Sequence, residues 1–283
     1  MATHNHTHAE NHLESQTANA EEAPRGSVLL VEPQHAHREF LNQNPHVSTV
    51  LLRIIHVQTL INRGETADTY FEDDVTVVTS TTINDRRLSQ LGWQEELELI
   101  KEFEPDYHIP CDYPVYKAWD GDRRKQHIID CLEGTIWMAE RMEDTRARVI
   151  PLLKGETPEE REYCYKVFKE QLSTNYCVFY GTQYFTAGVG FYKLLEDIQK
   201  VASEAPHLQI LLMGLQYPGW LKELPPQVVA AAGQRWIRQS QLRSVSWGQA
   251  QENYEKLDRE IETALETGQA PLGIWSPSSE VIA

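Results

Sequence analysis

The chain has 283 residues, 41% of them apolar with 7 Trp, 12 Tyr and 7 Phe, which is enough for one large domain or two small ones with a sizeable core. Its formal charge is −16, from 42 acidic against 26 basic residues, and such a balance opposes nonspecific binding to a phosphate backbone. No apolar run approaches the roughly 18 residues of a membrane span, and no basic-then-apolar leader opens the chain, so a cytoplasmic protein with no membrane partner is predicted.

The four cysteines, Cys111, Cys131, Cys164 and Cys177, are widely spaced with no CxxC pair. That spacing argues against a zinc site and against a disulfide framework, and buried free thiols in a reducing compartment are predicted instead. No cofactor and no metal is expected. Arginine outnumbers lysine on an acidic background. This suits a salt-rich cytoplasm, where the Debye length shrinks to about 3 Å at molar salt and self-repulsion is screened.

Residues 1–26 are polar and hold His4, His6, His8 and His12, with almost no apolar periodicity, so a disordered His-rich tail is predicted. From Ser27 onward apolar, β-rich runs fall at 28–31, 47–55, 75–80, 107–111, 148–153, 176–180, 209–213 and 242–247. Most are continuous rather than alternating, as for strands covered on both faces. Segments of helical spacing lie between them at 88–103, 126–143, 158–172, 191–202, 225–239 and 248–267. Thr157-Pro158-Glu159-Glu160 supplies an N-cap, a first-turn proline and acids at the positive end of the helix dipole, and Gly268 is a helix stop. This alternation predicts an α/β fold, a (β/α)8 TIM-type barrel over 27–270, with 271–283 as a tail that packs Ile274 and Trp275 before fraying. An open doubly wound sheet is the competing architecture, but no Gly-rich phosphate turn follows the first strand.

In a barrel the residues just past each strand share one mouth. Here they are Glu32, His56, Thr79-Ser80, Asp112, Lys154, Gly181-Thr182-Gln183, Gly214-Leu215-Gln216 and Ser246-Trp247, a set suited to a small hydrogen-bonding ligand. Asp112 could equally cap a loop turn, and Gly181 and Gly214 could serve only tight turns. His35 and His37 form an HxH of the kind metal hydrolases use, but the later strand ends offer Lys154, Gly181 and Trp247 rather than ligands. Arg86-Arg87 and Arg123-Arg124-Lys125 begin helices on the mouth side, where they could meet phosphates or equally form a solvated, ion-paired face.

The order of several segments resembles the tRNA-guanine transglycosylase superfamily, especially its branch that places 7-deazaguanines in DNA. PDYHIPCDYP looks like the family strand ending in the aspartate that reads the base edge. RVIPLLKGETPEEREYCYKVF is similar to the family's strand, Gln-Gly turn and helix start, and YCVFYGTQYFTAGVGFYKLLEDIQKVASEAPHLQILLMGL to its base-pocket loop, helix and following strand. RSVSW stands near the DNA branch's Asp-Ser-Thr-Ser-Trp, and the similarity covers about 75–247. The resemblance implies a pentosyltransferase that exchanges guanine or 7-deazaguanine in DNA or tRNA through an aspartyl intermediate on a flipped-out nucleotide. It points to base-binding roles for Asp112, Lys154, Gly181, Thr182 and Ser80, and the grouped Arg86, Arg87, Arg123, Arg124 and Lys125 are the candidate nucleic-acid contacts.

Three departures stand out. Thr79-Ser80-Thr81 replaces the family's Asp-Ser-Gly, the nucleophile position falls near Arg243, and Lys154 replaces the glutamine. Asp112, Glu32, Asp120 and Asp122 are then the carboxylates that could serve catalysis. A lapsed relative that binds a base, nucleic acid or an active partner subunit is the alternative, and an unrelated barrel metal hydrolase a further one.

Overall fold

The computed structural model describes residues 16–71, 74–186 and 190–267. Eight strands form one all-parallel, curled sheet: β1 (Gly26–Val31), β2 (Thr49–Arg53), β3 (Thr76–Ser80), β4 (Tyr107–Ile109), β5 (Arg148–Val149), β6 (Tyr176–Tyr180), β7 (Gln209–Met213) and β8 (Val228–Gly233). Their order is β5-β4-β3-β2-β1-β8-β7-β6. The chain past β5 meets β6 at an isolated parallel bridge between Leu152 and Val178, where Leu153 N donates to Val178 O and Val178 N to Pro151 O, both at 2.9 Å. The result is a TIM-like barrel fold.

The helices that cover it are α1 (His35–Asn42), α2 (Ile54–Ile61), α3 (Ala67–Tyr70), α4 (Asp85–Leu88), α5 (Trp93–Phe103), α6 (Gly121–Arg141), α7 (Pro158–Glu170), α8 (Thr182–Thr186), α9 (Phe191–Glu204), α10 (Pro218–Leu221), α11 (Arg235–Ser240) and α12 (Trp247–Glu266). None of the described helices is long and apolar enough to cross a membrane.

The strands are apolar on both faces because two cores need them. Val28, Leu51, Val78, Ile109, Ile150, Val178, Leu211, Ala230 and Ala232 point inward and pack together. Leu29, Val50, Leu52, Val77, Val149, Cys177, Ile210 and Leu212 point outward to the helix layer. Each fully buried aliphatic side chain contributes about 1.5–3 kcal/mol, so the apolar runs are what commits the chain to this sheet.

Two expectations are corrected. The eighth strand lies at Val228–Gly233, within the predicted helix 225–239, and not at 242–247, which runs from a turn into the start of α12. VVAAAG reads as helical because alanine is the best helix former. Tertiary context overrides that preference: the small side chains let Gln216 dip into the interior, where its amide donates to Val28 O (2.9 Å) and Ala231 O (3.2 Å). Gln216 is therefore buried rather than placed at the mouth.

The second correction concerns the tail. Over 16–25 the chain is packed, not loose: Ala18, Ala20 and Ala23 are buried in the inner core at the strands' N-terminal end. Ala18 N donates to Val149 O at 2.9 Å, Tyr107 Oη to Glu22 O at 2.6 Å, and Thr174 Oγ1 to Ala18 O at 2.6 Å. The segment plugs the end of the barrel opposite the mouth. The four tail histidines and the 271–283 tail lie outside the described residues.

On α12, burial and the neighbouring Glu262 push the Asp258 carboxyl up to about 6, although Tyr254 Oη donates to it. A folded-state value above the unfolded one means the native protein holds this proton, so stability falls as pH rises from about 4 through 6. Asp258→Asn is expected to raise stability by about 1 kcal/mol at pH 8 and to leave it unchanged at pH 4. Thermal melts at the two pH values check this.

Candidate functional site

The mouth residue Asp112 is set in place from the interior outward. β4 carries His108, which is fully buried; its Nδ1 shares a hydrogen bond with Thr79 Oγ1 and its Nε2 with Glu96 Oε1 on α5, both at 2.8 Å. The same Glu96 oxygen accepts from Cys111 N at 3.0 Å. Cys111 has φ 51°, a left-handed conformation that costs a residue with a Cβ about 1–2 kcal/mol, and the Glu96 bond is what offsets it. This turn aims Asp112 into the mouth, and Asp112 N is fixed by donating to Thr81 Oγ1 at 3.0 Å.

Opposite Asp112 stands Lys154, just past β5, and its Nζ donates to Asp112 Oδ1. The two side chains are only 11% and 12% exposed, so this pair works in a poorly solvated setting. Burial pushes the Lys154 ammonium down, but the Asp112 charge and hydrogen bond, together with the neighbouring Cys131 and Cys164, outweigh it and the net shift is upward. Lys154 is thus held as a cation, a hydrogen-bond donor rather than an amine nucleophile. Burial pushes the Cys131 and Cys164 thiols beside it up to about 12, which keeps them as inert thiols; Cys111 and Cys177 are also free and buried.

The next turn is built to present Glu156. Gly155 has φ 118°, and a Cβ there would lie 2.8 Å from Arg161 N, so no other residue fits. Thr157 caps α7 as predicted and forms a capping box with Glu160, whose Oε2 also accepts from Glu156 N at 2.8 Å. Burial first, then Asp197, raises the Glu156 carboxyl above its usual range. No ion pair or hydrogen bond to that carboxylate occurs among the described residues.

These groups line a cavity of ≈630 Å3 at the C-terminal ends of β2, β4, β5 and β6. Its walls include Tyr116, Phe179, Tyr180 and Tyr184, with Thr182 and Arg53 at other points of the rim. Tyr116 Oη donates to Asp85 Oδ2 at 2.7 Å, which with burial raises the phenol to about 12. Tyr184 Oη donates to Asp197 Oδ2 at 2.9 Å, and Lys193 holds the other oxygen at 2.8 Å.

Of the sequence-predicted residues, Asp112, Lys154 and Thr182 meet in this cavity. Ser80 does not: it is buried, and its Oγ bonds Thr82 Oγ1 at 2.8 Å. Gly181 lies behind the wall, packed 3.0 Å from Leu212 by the position a Cβ would take. Glu32 stands at another sector of the mouth, held by Gln34 Nε2 (2.6 Å) and Gln234 Nε2 (3.2 Å), with His37 and His56 nearby. Burial lowers both histidines, which are therefore neutral at neutral pH.

Asp120 caps α6, accepting from Arg123 N at 2.9 Å, and Asp122 is exposed in its first turn. Arg124 is consumed internally by Glu160 at 2.8 Å and by the Trp119 carbonyl. Arg123 lies over the Trp119 ring and Lys125 over Tyr163, while Arg86 and Arg87 are exposed on α4. The HxH does not converge: His35 is exposed beside Glu39, and His37 is buried against Trp236. Among the described residues no group of three or more His, Cys, Asp or Glu is placed to hold a metal. Trp247 opens α12 and Ser246 caps it, so neither follows a strand.

Arg53, Asp85, Tyr116, Glu156 and Asp197 were not among the candidates. Four of them lie beyond the first residue after a strand, and Glu156 was readable only as the next residue after Lys154-Gly155.

No protein-family model matches the chain, and no curated protein matches it.

Lys154→Met is expected to cost about 3 kcal/mol by leaving Asp112 buried and unpaired, and the double variant Asp112→Asn/Lys154→Met to recover most of that. Urea midpoints of the three proteins check the coupling.

Proposed function

We propose that this chain is a divergent relative of the tRNA-guanine transglycosylases, a (β/α)8-type barrel that recognises guanine or a 7-deazaguanine at its mouth. The observation that carries the reading is the Asp112–Lys154 pair inside an aromatic-walled cavity. Guanine's edge presents an oxygen acceptor at C6 beside donors at N1 and at the 2-amino group. A lysine and an aspartate side by side are the complement of that edge: Lys154 donates to O6 and Asp112 accepts from N1–H and the amino group. In the free protein the two satisfy each other, and the base inserts between them without leaving either charge unpaired. Tyr116, Phe179, Tyr180 and Tyr184 offer faces for stacking.

Recognition is better supported than covalent base exchange. Asp112 is tied to Lys154, Asp85 to Tyr116, and Asp197 to Tyr184 and Lys193, while the positions expected for a nucleophile hold Thr79, Ser80, Thr81 and Arg243. Exchange is the second reading because of Glu156. Its free carboxyl, held toward the acid form, suits proton transfer to a leaving base.

The test is calorimetric titration with guanine, hypoxanthine and adenine at high salt, alongside incubation of labelled guanine with DNA and tRNA. Guanine is expected to bind most tightly, with hypoxanthine about tenfold weaker and adenine weaker still, and with Asp112→Asn abolishing the order. Label incorporation dependent on Glu156 would move the chain to the exchange reading. Equal binding of all three purines, or of none, would remove the base reading.

A further inference from the structure

The lining of the cavity contains three cations, and two are already neutralised: Lys154 by Asp112, and Arg161 by Glu204 through two bonds of 2.7 and 2.6 Å. The third, Arg53, has no ion pair and no side-chain hydrogen bond among the described residues. It is half-buried at the end of β2, where its backbone is in register with Ser80 of β3. In a chain with 42 carboxylates, a half-buried guanidinium left without an anion at a cavity wall is a notable arrangement.

A second arginine supports the first. Arg87, exposed on α4, also makes no side-chain contact to a carboxylate among the described residues. Both arginines act on His56, whose imidazole is depressed first by burial and then by their charges in opposition to Glu32. Arg53 and Arg87 therefore lie on the same side of the mouth, both close to His56 and Glu32. Glu32, the carboxylate that faces His56, is already engaged by the amides of Gln34 and Gln234.

We infer that Arg53, assisted by Arg87, forms an anion subsite that takes a phosphate of the ligand, so that the cavity binds a nucleotide more tightly than the free base. A guanidinium matches two phosphate oxygens through parallel N–H bonds, and a half-desolvated setting strengthens them. The inference rests on the base reading only for the identity of the attached group; the phosphate contact itself stands on Arg53. Free nucleotide and nucleic-acid strand share this chemistry, and the probes separate them.

The experiment follows binding of inorganic phosphate, guanosine, guanosine 5′-monophosphate and a short guanine-containing single strand by calorimetry, in chloride buffer of fixed ionic strength. Wild-type protein is expected to bind the monophosphate about tenfold more tightly than guanosine, and Arg53→Gln to erase that difference. Inorganic phosphate is expected to bind the wild type and to lose about tenfold in Arg53→Gln, with Arg87→Gln, an exposed change that leaves the fold intact, losing less. Asp112→Asn is expected to weaken guanosine while leaving phosphate binding intact, so failure of the base reading is seen separately. A strand that outbinds the monophosphate would assign the subsite to a backbone phosphate. Phosphate binding unchanged in both arginine variants, or absent from the wild type, would overturn the proposal.

Discussion

A carboxylate buried between helix and sheet sets the geometry of the mouth. Glu96, on α5, is shared by the His108 ring and the Cys111 amide, and both lie well inside the protein. Burying these groups is expensive, and each is retained only because every partner is present. What the arrangement achieves is local: it holds a non-glycine residue in the left-handed region one position before Asp112. Without it the chain after β4 would relax toward an extended exit, and the Asp112 carboxylate would not face Lys154. The Thr79 hydroxyl on the far side of His108 ties the same network to β3, so two neighbouring strands set the direction of one side chain.

The Asp112–Lys154 pair carries a different kind of constraint. It is neutral as a unit inside a strongly acidic protein, so a ligand entering the cavity meets a matched donor and acceptor rather than a net charge. Such a pair adds little to stability, because desolvation of both ions offsets most of their attraction. On the proposed base-binding reading its value lies in selectivity: a ligand that satisfies one member and leaves the other unpaired is penalised by the full cost of a buried lone charge. The neighbouring thiols remain neutral by burial, and the Gly155 turn places Glu156 where it faces the same space.

Much of the scaffold was readable because burial on both faces writes itself into the sequence as continuous apolar runs. β6 and β7 fall where those runs do, and Thr157-Pro158-Glu159-Glu160 caps α7 as its residue types require. The eighth strand was hidden because its composition is governed by space rather than by β propensity. Alanines at 230–232 make room for the buried Gln216, and a local reading takes them for helix. The packed segment before β1 was hidden because its contacts are made by backbone carbonyls and small alanines, which leave no periodic trace. Asp112 and Lys154 were found by their places at strand ends. Ser80 was misplaced because the sequence does not show whether a hydroxyl turns to the mouth or to a neighbour, and Arg53 was missed because the last residue of a strand reads as part of the strand.

The most direct measurement is a crystal structure of the protein soaked with guanine. Recognition by the pair requires the base in the cavity between Asp112 and Lys154, with Lys154 Nζ on O6 and the Asp112 carboxylate on N1–H and the amino group. The two side chains would then be separated from each other. A base bound elsewhere, or bound here with the Asp112–Lys154 contact unbroken, would contradict it.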